Sequence, residues 1–389
     1  MRFLHTGDWH VGKTLRGKSR LDEQQQVMTE ILDIAVRERV DCLLMAGDLF
    51  DSVAPPADAE RLVFDCFAEI VKRGIDAVVI GGNHDHPKKL AALRALLDPL
   101  KIRIRAEPQS ASEGGIVEID RGGERARIAV LPWVSERKLV AIADLLKPEH
   151  EWRRIYSEDV ATMASVLANG FDNHTVNILM AHVYAAGAAT GLSERSLHVT
   201  IPFALDASRF PSSAQYVALG HIHKPQRIMT SPARCEYSGS TLQLDFGEQG
   251  QTKRVVLIDC KAGGTAHVEN IPLTMGRQLT EVAGTLGELR ASALLWLNDL
   301  LRVTLEVKTA SPGLANEVRR LFPNAVEIRI RALETEPPPP PEVGARIAPA
   351  DHFAQFYIAT QQSQLPTELA DAFGRLYDEV NHASNAAGA

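Results

Sequence analysis

The run Ala-Val-Val-Ile-Gly-Gly-Asn-His-Asp at residues 77–85 joins a short apolar segment to a glycine pair and three polar side chains. Four consecutive apolar residues suit a strand that is buried on both faces of a sheet. Asn83 offers a neutral carbonyl oxygen, and His84, the next residue along an extended chain, points the other way. One of these two side chains is therefore expected to bind a metal while the other faces a substrate.

Three further segments repeat this pattern of an apolar run followed by glycine and side chains that can bind metal. Residues 3–4, 42–45 and 216–219 supply the apolar runs. Because the carboxyl ends of neighbouring parallel strands meet at one edge of a sheet, we expect the polar side chains that follow them to converge. These side chains belong to Gly7-Asp8-Trp9-His10, Gly47-Asp48 and Gly220-His221-Ile222-His223.

The spacing within the segments predicts roles for individual ligands. In an extended stretch, Asp8 and His10 leave the same face and can hold one cation from the same side. His221 and His223 share a face in the same way and can supply one imidazole to each of two metals. Asp48 has two carboxylate oxygens and can bridge two cations, which lie roughly 3.5 to 4 Å apart in two-metal sites.

The donor atoms predict the kind of metal. His182 ends the apolar run at residues 176–181 and is a further candidate ligand. With Asn83, the aspartates and the other histidines it forms a mixed oxygen and nitrogen set, which suits a divalent first-row ion better than a closed thiolate zinc site. We therefore predict two divalent metal ions as cofactors, with Mn²⁺ as the first choice.

The ordered motifs D-x-H, G-D, G-N-H-D, H and G-H-x-H resemble those of the calcineurin-like metallophosphoesterase superfamily. The longer context at residues 6–13 and 46–51, with Arg20 between them, resembles more specifically the nuclease subunits of bacterial ATP-dependent DNA-repair complexes. The resemblance implies that His84 acts on the phosphodiester. It also implies one metal held by Asp8, His10, Asp48 and His223, and a second held by Asp48, Asn83, His182 and His221.

The resemblance implies a function as well. The chain is expected to be a Mn²⁺-dependent DNA exonuclease or endonuclease that processes DNA ends and hairpins together with a coiled-coil ATPase subunit. One position departs from the pattern: Asp51 stands where archaeal and eukaryotic relatives place a second active-site histidine. Two other functions remain open, a small-molecule phosphodiesterase or phosphatase and a catalytically inert scaffold.

Composition fits an enzyme with more than one domain. The chain has 389 residues, 45% of them hydrophobic, and no apolar stretch of membrane-spanning length. Its four cysteines are scattered, which favours reduced thiols in a cytoplasmic protein. A formal charge of -7 is unusual for a protein that holds DNA by itself, so we expect the metals and a partner to contribute to DNA affinity.

Strand and helix patterns predict the fold. The first half alternates apolar runs with amphipathic helical stripes, which implies parallel strands joined by right-handed crossovers. The second half is richer in strands, with a helix over residues 152–167. These patterns fit two sheets packed face to face with helices outside, the four-layer α/β/β/α arrangement that the resemblance implies.

The chain is expected to divide into four parts. Alternating apolar residues at 301–307, a helix at 314–321 and a strand at 326–330 predict a small α+β domain, and the resemblance gives it a capping role that guides DNA. Five consecutive prolines, Pro337 to Pro341, predict a stiff spacer. The predicted parts are a nuclease domain at 1–272, a capping domain at 273–336, a proline-rich linker at 337–349 and a helical tail at 350–382.

The tail is predicted to contain two helices, Asp351 to Thr360 and Glu368 to Val380. Their aromatic residues are too numerous for a surface exposed to water. The resemblance implies that they dock on the coiled-coil base of the ATPase partner, and the alternative is that they fold back on the nuclease domain. These aromatic residues include Phe353, Phe356, Tyr357, Phe373 and Tyr377.

Other surfaces carry predictions for DNA and self-association. Lys13 and Arg16 lie just beyond the first metal motif and are predicted to contact DNA phosphates, although a solvated loop is the alternative. The resemblance implies a homodimer formed through the segments Asp58 to Lys72 and Lys88 to Leu97. We also expect Asp85 either to orient His84 or to cap the helix that begins at Pro87.

Overall fold

The computed structural model describes residues 1–135, 149–190, 204–309, 313–333, 348–361 and 364–386. The chain divides into two compact units, Met1–Arg331 and Ala332–Ala389. The predicted linker at 337–349 lies outside the described residues, apart from its last two positions. The small domain predicted at 273–336 falls within the first unit, up to Arg331.

Seventeen strands are present in the described residues. In chain order they are β1 (Arg2–Thr6), β2 (Thr14–Leu15), β3 (Lys18–Ser19), β4 (Cys42–Met45), β5 (Asp76–Ile80), β6 (Ile102–Arg105), β7 (Ile116–Arg121), β8 (Glu124–Leu131), β9 (Val176–His182), β10 (Tyr216–Gly220), β11 (Gln226–Arg227), β12 (Arg234–Tyr237), β13 (Arg254–Asp259), β14 (His267–Pro272), β15 (Leu279–Gly284), β16 (Leu300–Val307) and β17 (Ala325–Ala332).

Helices alternate with these strands in the first part of the chain and separate them less regularly later. In chain order they are α1 (Leu21–Arg37), α2 (Ala57–Lys72), α3 (Pro87–Ala92), α4 (Arg94–Leu97), α5 (Glu149–Ala168), α6 (Leu286–Ser292), α7 (Leu314–Leu321), α8 (Pro349–Gln361) and α9 (Thr367–Ala386). Within the described residues, none of these helices combines the length and the apolar character that crossing a lipid bilayer requires.

Two six-stranded sheets form the centre of the first unit. The first has the order β14-β13-β1-β4-β5-β6, and the second has the order β11-β12-β10-β9-β8-β7. Strands β1, β4, β5 and β6 run parallel, as do β12, β10, β9 and β8. The predicted parallel order of the first half is therefore confirmed.

Three apolar clusters define four layers. One lies between the sheets and includes Phe3, Leu44 and Ile178. A second packs α1 and α2 against the first sheet, and a third packs α5 against the second. The predicted α/β/β/α fold is confirmed. Burying each large aliphatic side chain of this kind contributes about 1.5 to 3 kcal/mol relative to exposing it.

The helix α1 shows how the sequence pattern produces an outer layer. Its buried apolar residues include Val27, Ile31 and Ile34, which recur at helical spacing along one face. Its first turn carries Asp22 and Glu23, whose negative charge is favourable at a helix N-terminus. The apolar face packs on the first sheet and forms one outer layer of the fold.

A separate three-stranded sheet, which we call the small sheet, has the order β15-β16-β17. The predicted elements at 301–307, 314–321 and 326–330 are confirmed as β16, α7 and β17. The sequence analysis missed β15 and α6, so the unit has one more strand and one more helix than predicted. Thr285 and Glu288 form a capping box at the start of α6, a local signal that could have identified that helix.

The second unit contains the two predicted tail helices, α8 and α9. The rings of Phe353 and Phe373 stack with centroids 4.3 Å apart and an interplanar angle of 4°, which joins the two helices. Tyr377 continues this row, 6.1 Å from Phe373. Phe356 and Leu376 are exposed to 65% and 62%, so the helix pair keeps a partly apolar surface.

Candidate metal centre

The loops that follow β1 and β4 run side by side. The backbone N–H groups of Asp8, His10 and Val11 donate to the carbonyls of Gly47, Asp48 and Leu49 at 3.0, 3.0 and 2.9 Å. These bonds continue the parallel pairing of β1 and β4 beyond the ends of both strands. The first and second motifs are therefore held together by backbone contacts that need no particular side chain.

Four of the predicted ligands have left-handed backbone conformations. Asp8, His10, Asp48 and His221 have φ values of 50°, 45°, 51° and 102°. Such values are uncommon for residues with a β-carbon, and they cluster at functional sites where the surroundings enforce them. The premise that Asp8 and His10 lie in an extended stretch is therefore wrong. Turns bring their side chains into the centre.

Two glycines allow the close approach of the motifs. A β-carbon at Gly47 would overlap the His182 ring, and one at Gly82 would overlap the Asp48 carboxylate. Gly47 also has a φ of 95°, which favours glycine. The glycines of G-D and G-N-H-D are thus required by space around the ligands.

The predicted ligands form one connected cluster. Asp48 Oδ2 lies 3.6 Å from His10 Nε2 and 3.4 Å from His182 Nε2. Asn83 Oδ1 lies 3.0 Å from His182 Nε2 and 3.0 Å from His221 Nδ1. Contacts between neighbouring members connect all seven predicted ligands, Asp8, His10, Asp48, Asn83, His182, His221 and His223.

Within the described residues, two groups of side chains have ligand atoms close enough to hold one ion each. One group is His10, Asp48 and His84, and the other is Asp48, His182 and His221. Asp48 belongs to both groups. A carboxylate common to both groups is what a bridging ligand would need, and the bridging role of Asp48 stays a prediction.

Hydrogen bonding fixes which histidine nitrogen faces the centre. His182 Nδ1 donates to the Ala46 carbonyl at 2.8 Å, because a carbonyl oxygen can only accept. His182 Nε2 is then the nitrogen that faces the oxygen atoms of Asn83 and Asp48, at 3.0 and 3.4 Å. An imidazole held at Nδ1 by a carbonyl is the usual arrangement of a metal-binding histidine whose other nitrogen binds the ion, and imidazole nitrogen beside carboxylate and amide oxygen is a donor set that fits a divalent metal.

The pKa values of the buried groups show that the cluster favours positive charge near its carboxylates. Burial alone lowers the pKa of His182, but the Asp48 carboxylate opposes this and raises the pKa to about 9. Burial raises the pKa of Asp48, yet the nearby His182 outweighs it and holds that pKa well below its usual range. Asp8, fully buried, has a raised pKa because of desolvation. Each shift reflects carboxylates and imidazoles that share a small volume.

His84 stands at the rim of the centre and is half-buried. Its backbone N–H donates to Asp48 Oδ1 at 2.8 Å, and its Nδ1 donates to the Asp51 carbonyl at 2.8 Å. The ring meets the His10 ring edge-on, with centroids 4.7 Å apart. These contacts fix the ring at a place where it can face a substrate, and His84 also has a ring nitrogen within reach of the ion position beside His10 and Asp48.

Asp51 supports two of the candidate functional histidines. Its Oδ1 lies 3.3 Å from His10 Nδ1 and 3.0 Å from Lys13 Nζ, while its carbonyl binds His84. The sequence analysis identified this position only as a departure from the family pattern. The Asp51 carboxylate thus lies beside the outer nitrogen of the predicted ligand His10.

The sequence analysis also missed Glu248 and Trp133. Glu248 Oε1 lies 3.0 Å from His223 Nδ1, and the Trp133 ring stacks on the His221 ring at 5.2 Å between centroids. Both residues lie outside the ligand motifs, in stretches without a periodic or motif signal. Only the folded structure brings them to the centre.

Asp85 has a different role from the one predicted. Its carboxylate accepts backbone N–H bonds from Leu49, Phe50 and Gly82 at 3.2, 3.1 and 2.9 Å. It therefore ties the loop after β4 to the loop after β5, and the predictions that it orients His84 or caps α3 are wrong. The N-cap of α3 is His86, whose side chain accepts from the Lys89 N–H.

The two predicted DNA contacts each have a carboxylate partner. Lys13 Nζ lies 3.0 Å from Asp51, and Arg16 Nε lies 2.7 Å from Glu327 on β17. Arg16 also lies 3.6 Å from Asp245. Their role toward DNA stays a prediction.

Comparisons with known proteins give consistent results. The family model described as calcineurin-like phosphoesterase matches residues 1–225. The chain is 34% identical to the SbcD component of the SbcCD nuclease of Bacillus subtilis over 339 residues, which are 85% of this chain and 85% of the relative. The SbcD protein of Rhodobacter capsulatus is 33% identical over 70% of this chain and 69% of its own length. The SbcD protein of Escherichia coli K12 is 29% identical over 76% of this chain and 74% of its own length.

Proposed function

The chain belongs to the calcineurin-like phosphoesterase family and is a metal-dependent phosphodiesterase, and we propose that it is a Mn²⁺-dependent DNA nuclease with a two-metal centre. The observation that carries this proposal is the sharing of Asp48 between two groups of ligand atoms. The relatives named as components of the SbcCD nuclease support DNA as the substrate.

The proposed ligands divide between two metal positions. Asp8, His10 and His223 would hold one ion with Asp48, and the remaining ligands would hold the other with Asp48. When bound, two such cations neutralise charge on the phosphate and lower the pKa of an attacking water. The remaining ligands are Asn83, His182 and His221.

His84 is proposed as the residue that acts on the phosphodiester itself. The Asp51 carbonyl holds Nδ1–H, so Nε2 can carry a second proton toward the departing oxygen. The His84 backbone N–H donates to Asp48 Oδ1, so the histidine is held next to the proposed bridging ligand. Transfer of the proton from His84 Nε2 to the departing oxygen would complete cleavage of the phosphodiester.

We propose that the chain works as the nuclease component of an SbcCD-type complex that processes DNA ends and hairpins. The proposed partner of α8 and α9 is a coiled-coil ATPase of the SbcC type. The exposed Phe356 and Leu376 support this, because an apolar surface of two packed helices suits a groove between partner helices. The small sheet is the proposed capping domain that guides DNA, with Lys13 and Arg16 as phosphate contacts.

A homodimer is part of the same proposal. Its proposed surface is formed by α2, α3 and α4, where Phe64 and Leu96 are exposed to 39% and 66%. Light scattering of the isolated protein should give the mass of a dimer. A mass that stays monomeric at all concentrations would contradict this assembly.

The function is tested by cleavage assays on three substrates, with and without Mn²⁺. Single-stranded DNA, double-stranded DNA and a chromogenic phosphodiester would be incubated with the protein and with its His84→Gln variant. Mn²⁺-dependent cleavage of DNA that the variant loses is expected. Cleavage of the chromogenic ester alone would indicate a small-molecule phosphodiesterase, and no cleavage of any substrate would indicate a scaffold.

A further inference from the structure

Glu248 lies directly behind the candidate ligand His223. It ends a 3₁₀ turn, Phe246–Glu248, and is fully buried. Its Oε1 lies 3.0 Å from His223 Nδ1, and its Oε2 accepts from Lys253 Nζ at 2.7 Å and from the Leu244 N–H at 3.1 Å. The carboxylate is thus fixed by several donors while one oxygen holds the imidazole.

Lys253 extends this support to the backbone of the same ligand. Its Nζ donates to the His223 carbonyl at 3.0 Å and to Ser240 Oγ at 2.8 Å. Both the ring and the main chain of His223 are therefore held by one buried ion pair. A carboxylate that accepts from the outer nitrogen of a metal-binding histidine fixes its tautomer and ring orientation and raises its basicity.

The small sheet packs on the turn that carries Glu248. Phe246 forms a buried apolar cluster with Leu15, Leu279 and Leu300, the last two of which come from β15 and β16. The guanidinium of Arg302, also on β16, lies 4.2 Å from the centre of the Phe246 ring. The small sheet therefore packs directly on the residue two positions before Glu248.

The same cluster reaches the other side of one metal position. Leu15 forms β2 a few residues after His10, and His10 Nε2 lies 3.1 Å from His223 Nε2. The small sheet therefore contacts segments on both sides of the His10/His223 pair. The second pair is supported differently, since His182 binds the Ala46 carbonyl and His221 stacks on Trp133.

We propose that Glu248 is a positioning residue for His223, and that the small sheet, through the turn carrying Glu248, supports the His10/His223 metal position selectively over the His182/His221 position. This inference rests on the proposed two-metal centre. Loss of such an outer partner typically weakens metal binding roughly 10- to 100-fold.

The direct test is calorimetric titration of Mn²⁺ into the full chain after removal of metal by a chelator. Glu248→Gln keeps the size of the side chain and an oxygen acceptor but removes its charge. It should weaken binding of one ion roughly 10- to 100-fold and leave the other unchanged. In a His221→Ala background, where only the His10/His223 position remains, Glu248→Gln should weaken the single remaining ion by the same factor.

The small sheet is tested by two matched phenylalanine variants. Phe246→Leu should weaken the same ion as Glu248→Gln. Phe322→Leu removes an equally buried ring from the cluster on the other part of the small sheet, and it should leave both affinities unchanged. Thermal unfolding in chelator verifies that each variant is folded before it is titrated.

The outcomes separate this inference from the proposed function. If the unmodified protein binds fewer than two ions, the two-metal proposal fails. If it binds two ions and Glu248→Gln binds both as tightly, Glu248 does not position His223. Equal weakening of both ions by Glu248→Gln would overturn the selective support, as would an effect of Phe322→Leu equal to that of Phe246→Leu.

Discussion

The metal centre and the terminal helix pair differ in the kind of side chain that each leaves without a suitable environment. The centre has buried charges, and the helix pair has exposed apolar residues. The centre buries charged and polar groups, including Asp8, Asp48 and His182, within hydrogen-bonding distance of one another. The helix pair α8/α9 does the opposite, because it leaves Phe356 and Leu376 largely exposed. Buried carboxylates need a compensating positive charge, which a metal can supply, and a cluster of exposed apolar side chains is typical of a surface that another protein covers.

Under the proposed function, the two regions serve two different kinds of partner, a metal ion and another protein. The centre is complementary to a small, strongly charged species, and its groups are fixed by backbone bonds that do not depend on that species. The rings of Phe353 and Phe373 stack between the two helices, and Phe356 and Leu376 are exposed on the outside of the pair. Catalysis and assembly are therefore expected to be separable by mutation.

The largest effect is expected for Asp48→Ala. Because Asp48 is the ligand common to both groups, its loss should remove both ions and abolish nuclease activity. Elemental analysis of the purified variant measures this directly. His10→Ala is the control and should reduce mainly one ion, whereas two ions retained by Asp48→Ala would contradict the bridging assignment.

His84→Gln should separate metal binding from chemistry within the centre. We expect both ions to remain and activity to fall roughly 10²- to 10⁴-fold, the usual contribution of a general acid. The matched control is His86→Asn, which replaces an exposed histidine two residues away and keeps an N-cap side chain. Activity of His84→Gln within a few-fold of the unmodified protein would remove His84 from the mechanism.

Variants of the helix pair should lose association with the ATPase and keep the metal centre intact. Because Phe353 and Phe373 stack on each other, the exposed Phe356 and Leu376 are the better probes of a partner surface. Replacing both with alanine should weaken association with the ATPase by ~2 kcal/mol or more for each anchor, while Mn²⁺ content and ATP-independent cleavage stay unchanged.

A control for this variant is Leu295→Ala, which removes a leucine exposed to 73% near the small sheet. Co-purification with the ATPase should be reduced for the tail variant and retained for Leu295→Ala. Undiminished co-purification of the tail variant would favour the alternative that these helices fold back on the nuclease domain.

The sequence predicted the parts of the molecule that local patterns encode. The apolar runs before Asp48, Asn83 and His221 identified buried strands, and the motifs that follow them identified candidate ligands that the structure brings into one cluster. The left-handed conformation of Asp8 and His10 was not predictable in this way, because it arises from pairing between two loops. Local periodicity carries no information about such pairing.

Residues that act through other residues were the hardest to predict. Glu248 is separated from His223 by 25 positions, and Asp85 from Leu49 by 36. Their roles depend on tertiary contacts, so neither spacing nor composition distinguishes them from surface carboxylates. The strand β15 was missed for another reason: Leu279–Gly284 mixes apolar, acidic and small residues without a clear alternation.

The smallest effect concerns His5, a buried histidine outside the metal centre that provides a contrast to His182. Its ring contacts the Tyr216 hydroxyl at 3.0 Å and the Leu219 carbonyl at 3.1 Å. Burial lowers the pKa of His5 from 6.5 to about 3, so the folded protein holds this ring neutral. Its contribution to stability is complete above pH 6.5 and is lost as the pH falls from 6.5 toward 3.

At about pH 5 this lowers the free energy of unfolding by ~2 kcal/mol. The loss arises because the unfolded chain binds a proton at His5 and the folded chain does not. His5→Gln keeps a donor for the Leu219 carbonyl and removes the titration. Urea unfolding in chelator at about pH 7.5 and pH 5 should therefore show a smaller loss of stability for His5→Gln than for the unmodified protein, by that amount. His174→Gln replaces an exposed histidine and should leave the loss unchanged. Identical pH dependence in His5→Gln and the unmodified protein would mean that His5 is not held neutral by burial, and the contrast with His182 would not hold.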